Sequence, residues 1–217
     1  MSSNKKNKKA LIISISIYLA FLIYSIIVNQ TLITGYKAIN ILAAIVSPPL
    51  IYLTLRIIKI KIIPEITYII FGFNLLSIIL GNTLKLYRLW DPYDKILHFL
   101  SGVIIALFIY CIFLLIMQKK NIKKKNEFIL SILFVNGLNI SVAFLWELFE
   151  FSLLVFFGID AIRHKSTGVY DLMLDILVCM IGGIIISIYL YLFYKIKKNN
   201  VVTKMGETFY IENTKEK

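Results

Sequence analysis

Three pairs of titratable residues recur at helical spacing. Asp94 and His98 are four residues apart, Glu147 and Glu150 three, and Asp171 and Asp175 four. Steps of three or four return to one helix face, and four residues rise about 6 Å. Each pair therefore lines one face of its own helix. Five carboxylates and one imidazole could surround a divalent cation. Oxygen ligands suit Mg²⁺, Ca²⁺ or Mn²⁺, and an imidazole moves the preference toward Mn²⁺ or Zn²⁺. Such an ion activates water or polarises a phosphoryl oxygen. Without an ion, carboxylates this crowded share protons, which suits acid–base work or a proton relay. On this reading His98, Glu147, Glu150 and Asp175 are the acid–base or ligand groups, and Asp94 and Asp171 complete the metal-ligand set. The competing reading is capping: Asp94 and Asp171 cap helices and face their dipoles, and Glu147 and Glu150 lie beyond the hydrocarbon on a helix running to Phe157, where Lys95 and Arg88 pair with them.

The elements that must position these residues are long apolar runs. Hydrophobic residues make up 59% of the 217 and charged residues only 17%, against roughly half and about a quarter in a soluble domain. Six runs approach the ~20 helical residues that a bilayer requires. They lie near Ala10–Val28, Ala38–Leu55, Ile66–Leu80, Ile96–Met117, Phe128–Leu148 and Leu172–Tyr194. The third is short, but Ile62 and Ile63 lengthen it across the helix-start signal Pro64-Glu65. Pro48-Pro49 removes two backbone donors from the second and predicts a kink. The first run follows "MSSNKKNKK" and is longer than a signal-peptide core, with no small-x-small site after it, so it reads as a retained span. The expected fold is an all-α polytopic bundle: residues 1–63 form two N-terminal spans, 64–198 a four-helix core with the titratable pairs, and 199–217 a short, loosely ordered cytoplasmic tail.

The net charge is +12, but the lysines sit in blocks beside apolar runs, which points to membrane topology and away from nucleic acid. With the N-terminus in the cytoplasm, 18 of the 24 basic residues fall in inner segments and 6 in outer ones. Both termini are then cytoplasmic, and the lysine block "KKNIKKK" is a topology determinant. The start of the fourth span, the end of the fifth and the start of the sixth all lie on the outer side, which brings the three pairs into one layer. Asn136, Asn139, Ala143, Glu147 and Glu150 form a stripe on the fifth span. Ser101 and Gly102 continue the face of His98, and Cys179 and Gly182-Gly183 that of Asp175. Thr67, Asn74 and Gly81 mark the third span, so spans three to six are expected to turn polar faces inward. Lys95 is expected to snorkel to water, and Tyr87, Trp90, Tyr93 and Trp146 to anchor at the interface. Cys111 and Cys179 read as small hydrophobes. His164 reads as a solvated loop residue that could close the site, beside Arg163 and Lys165, which could meet a lipid phosphate.

The blocks "YDKILHFLSG", "FLWELFEF" and "GVYDLMLDILVCMIGG", in that order and at helix ends, resemble the YjdF-like family of bacterial inner-membrane proteins, and more distantly the VanZ-like family. The resemblance spans roughly residues 64–195. It implies that Asp94, His98, Gly102, Trp146, Glu147, Glu150, Gly168, Asp171, Asp175 and Gly182 hold the family's characteristic positions. The family often has a further acid where this chain has Cys179, which implies fewer than six metal ligands. The resemblance implies a multi-pass protein of the bacterial plasma membrane, with membrane lipids as partners. YjdF-like proteins have no established activity; VanZ-like proteins are linked to teicoplanin resistance. The leading expectation is a metal-assisted envelope enzyme acting on a lipid-linked or phosphate-bearing substrate. A cation- or proton-coupled transporter is the second, although only Asn136 and Asn139 continue a polar path inward and "GGIIISIYLYLF" is nearly all apolar. A structural or partner-binding membrane protein is the third.

Overall fold

The computed structural model describes residues 3–28, 35–160 and 164–214. They are helical, with no strand among the described residues. The helices are α1 (Ser3–Val28), α2 (Gly35–Ile57), α3 (Pro64–Asn74), α4 (Leu86–Leu89), α5 (Pro92–Ile116), α6 (Lys125–Phe157), α7 (His164–Thr167), α8 (Tyr170–Ile196) and α9 (Val201–Thr214). A π-helical segment, Leu75–Thr83, continues α3 without a break. By length and composition, α1, α2, α3 with its π segment, α5, α6 and α8 can each cross a membrane, in agreement with the six expected spans.

The chain forms two compact units, Met1–Asp94 with Glu212–Lys217, and Lys95–Ile211. In the first, the two prolines in α2 decide the packing. Pro48 has no N–H, so the carbonyl of Ala44, four residues earlier, loses its helical donor. The Tyr18 hydroxyl of α1 replaces it, 2.9 Å from that oxygen, at a site where Tyr18 and Ala44 are both buried. The polar stripe of α3 is answered by α2: the Tyr52 hydroxyl donates to Thr67 Oγ1 at 2.7 Å, and Ser47 Oγ donates to Asn74 Oδ1 at 2.6 Å. Thr67 and Asn74 thus face α2 rather than serving a core of the last four spans. The π segment was not foreseen either. Its five-residue steps show in Leu84 N donating to the Ile79 carbonyl and Thr83 Oγ1 to the Ile78 carbonyl. Tyr93, expected as an interfacial anchor, is buried, and its hydroxyl donates to the Leu76 carbonyl at 2.8 Å.

In the second unit, Tyr110 and Leu114 of α5 pack with Val135 of α6, Ile186 and Leu190 of α8 and Val202 of α9. Glu127 opens α6 by accepting the backbone N–H groups of Lys123 and Lys124 while it pairs with Lys119. At the far end Gly158, with φ of 69°, takes the left-handed turn that closes the helix. The tail expected to be loosely ordered is the helix α9. Asn200 caps it reciprocally with Thr203, and Val202, Met205 and Phe209 are buried at steps of three and four. Gly206 permits the docking, since a Cβ there would lie 2.6 Å from the Tyr110 ring.

Two outcomes follow. Tyr18→Phe strips the Ala44 carbonyl of its donor and is expected to lower unfolding stability in detergent by about 1–3 kcal/mol. Gly206→Leu is expected to release α9, seen as new protease cleavage within residues 199–214 while α5, α6 and α8 stay protected.

Candidate functional site

The start of α5, the second half of α6 and the start of α8 meet at one end of the second unit. Glycine sets how closely α5 and α8 approach. A Cβ at Gly102 would lie 2.3 Å from the Cys179 carbonyl oxygen, and one at Gly182 would lie 2.7 Å from the Phe99 carbonyl oxygen. The two backbones are in contact, as small residues allow in helix pairs of low polarity. Asn139 of α6 ties the pair to the third helix by donating to the Cys179 carbonyl at 2.9 Å, and Asn136 donates to Ser187 Oγ at 2.7 Å. A Cβ at Gly183 would lie 2.6 Å from the Asn139 amide nitrogen, so this glycine makes room for the asparagine.

This frame holds a cluster of charged groups. Lys95 Nζ lies 2.5 Å from Asp171 Oδ1 and 2.6 Å from Asp175 Oδ1. Both aspartates are buried, and the lysine side chain is only 19% exposed. Lys95 therefore does not snorkel away to water; it bridges two acids of α8. The His98 ring stands one turn deeper between two further contacts. Its Nδ1 is 3.8 Å from Glu147 Oε1 and its Nε2 is 3.8 Å from Asp175 Oδ1. Glu147 is 2% exposed. These separations exceed hydrogen-bond length, so the contacts at rest are electrostatic. Beneath the ring, the Cys179 thiol donates to the His98 carbonyl at 3.0 Å, and Ser101 Oγ donates to the same oxygen at 2.7 Å. Cys179 Sγ is 3.9 Å from His98 Nδ1.

His98, Glu147, Asp171 and Asp175 come together from three helices, with Lys95 added to them. Asp94 stands one turn before His98 on α5 and closes the first unit. Glu150 follows Glu147 by three residues on α6 and is partly exposed. Asp94 and Asp171 are not N-caps: Asp94 lies inside α5, and the α8 cap residue is Val169. Both do lie in a first helical turn, where a carboxylate is favoured by the dipole. Arg163 and the His164 side chain lie outside the described residues. Lys165 is exposed, and its backbone N–H donates to Asp160. Sequence reasoning missed Lys95 because a lysine near a helix end usually reaches water. Its register carries the signal: Lys95 and His98 are three apart, on adjoining parts of one face.

The Lys95→Met variant leaves Asp171 and Asp175 buried without this ammonium. It is expected to lose about 3 kcal/mol of unfolding stability. Adding Asp171→Asn and Asp175→Asn in the same chain should restore most of that loss, which a mutant cycle in detergent would measure.

The sequence as a whole points the same way as the three blocks. Neither a curated protein nor a solved structure matches the chain. A family model does, over residues 10–196, under the description "Predicted membrane protein (DUF2238)". The match takes in α1 and α2 as well as the helices that carry the motifs. The chain belongs to this family of predicted membrane proteins, the YjdF-like family that its motifs resemble.

Proposed function

We propose that the protein is a multi-pass envelope membrane protein whose working site is an acid–base centre at His98. One observation carries this reading: a single imidazole has a carboxylate facing each nitrogen, Glu147 at Nδ1 and Asp175 at Nε2. A proton held on the ring can pass toward either acid, and a proton taken from a substrate has a place to go. Lys95 offsets the negative charge of Asp171 and Asp175, which lets carboxylates stay close together in a dry setting. At 14% exposure the His98 side chain is sheltered yet reachable. The lysine distribution supports an outer position for this end of the bundle in a bacterial cell, with both termini inside. A lipid-linked or phosphate-bearing envelope molecule is the substrate class that such a position offers.

A divalent cation is a second way to use the same groups. His98 Nε2 and Asp175 would then face the ion, and Glu147 at Nδ1 would orient the ring, the usual task of a carboxylate behind a metal-bound histidine. The ion must first displace Lys95 from Asp175.

The chain has two histidines, so His164→Asn leaves one ring to observe. In ¹⁵N-histidine-labelled protein in nanodiscs, the ring signals of His98 across pH are expected to change in Glu147→Gln and again in Asp175→Asn. Unchanged titration in both variants would remove the acid–base centre. A shift on adding Mn²⁺ or Zn²⁺ that is larger in Lys95→Met would favour the cation.

A further inference from the structure

The first unit contains a second feature, unconnected to the chemistry at His98. Near the end of α2 lies a cavity of about 610 Å³, walled by Pro49, Tyr52 and Leu53 and edged by Arg56, Lys59 and Lys61. An apolar furrow of about 390 Å³ adjoins it between α1, α2 and α3, and Pro49 and Tyr52 line both. The furrow's other walls include Leu19, Leu22, Ile45 and Phe71. Cationic lip and greasy furrow therefore adjoin, sharing one proline and one tyrosine as walls.

Two of the cations at the lip, Arg56 and Lys59, are held available. Arg56 and Lys59 are exposed and make no ion pair among the described residues. Lys59 sits at φ of 59°, in the left-handed turn that closes α2, where Ile60 N donates to the Leu55 carbonyl. Glycine is the residue usually favoured in such a turn. Lys61 is fixed by its backbone, which exchanges hydrogen bonds with the Asn213 side chain at 2.7 and 3.1 Å. Asn7 of α1 holds the neighbouring Ile62 carbonyl at 2.9 Å. The linker that carries Lys61 is thus pinned in place.

We infer that this face binds one anionic glycerophospholipid, with its phosphate at Arg56, Lys59 and Lys61 and an acyl chain along the furrow between α1 and α2. Charge complementarity selects the occupant: the lip takes an anion and the furrow takes hydrocarbon, and an anionic phospholipid supplies both in one molecule. A polar anion such as inorganic phosphate would leave the furrow unfilled. The lysine distribution assigns this end of α2 to the cytoplasmic leaflet, where basic residues beside a helix end attract anionic headgroups.

The test is native mass spectrometry of the full chain, released from detergent with phosphatidylglycerol or phosphatidylcholine of matched acyl chains. One phosphatidylglycerol should stay bound with an affinity about tenfold or more above that of phosphatidylcholine. Arg56→Gln with Lys59→Gly should abolish that preference. The glycine suits the left-handed turn, so the fold is kept, and circular dichroism checks it; Arg56→Gln alone should still show a partial loss. Ile45→Trp, which fills the furrow from an exposed position, should weaken both lipids. Lys198→Gln, a basic position outside the cavity, should change nothing. Equal binding of the two lipids would overturn the proposal, as would full phosphatidylglycerol retention in the double variant or a matching loss in Lys198→Gln.

Discussion

The bridge from Lys95 to Asp171 and Asp175 is the contact on which the charged end of the second unit depends. Two buried carboxylates one turn apart repel each other, and an apolar surround offers them no water. A single ammonium inserted between them turns that liability into a tie between α5 and α8. His98, one turn deeper on the same helix, approaches the same Asp175 oxygen to 3.8 Å. Without the lysine, the ring would face an acid that had every reason to turn elsewhere.

The same demand, that a polar group find its partner within the protein, explains much of the remaining architecture. The Ala44 carbonyl, orphaned by Pro48, is met by Tyr18 from another helix. The Cys179 carbonyl receives Asn139, and the Leu76 carbonyl, in the π segment, receives Tyr93. In each case a side chain from one helix bonds a backbone carbonyl of another. These hydrogen bonds are few, and each fixes a helix pair in one register. That is how long apolar helices, which hydrocarbon would let slide past one another, come to have one arrangement.

The spans were legible because apolar run length is a one-dimensional property. That the helix ends bearing the three pairs return to one level was legible too, since alternating helices do so and each residue's step fixes its face; whether the pairs converge there or only cap their helices was left open by the chain. What the chain did not announce were choices made by partners. Lys95 could have gone to water or to acids, and only the depth of Asp171 and Asp175 decides it. Thr67 and Asn74 showed a polar face without saying which helix would answer; Tyr52 and Ser47 of α2 did. The π turn leaves no mark in "LLSIILGNT". The tail was misjudged differently. Its average composition is polar, yet Val202, Met205 and Phe209 recur at helical steps, and that periodicity outweighs the average.

The glycines between α5 and α8 also determine which distances in the cluster are fixed. Gly102 of α5 rests on the backbone of α8 at Cys179, and Gly182 of α8 rests on the backbone of α5 at Phe99 and Val103. A slide of one residue in either direction would drive a β-carbon into a main chain. The register of α5 on α8 is therefore fixed, and with it the spacing of Lys95 and His98 from Asp171 and Asp175. Glu147 rides on α6, which packs along α8 through Val135 and stacks Phe128 on Tyr194. Glu147 thus enters the cluster from α6, and its 3.8 Å separation from the ring follows the fit of α6 against α8.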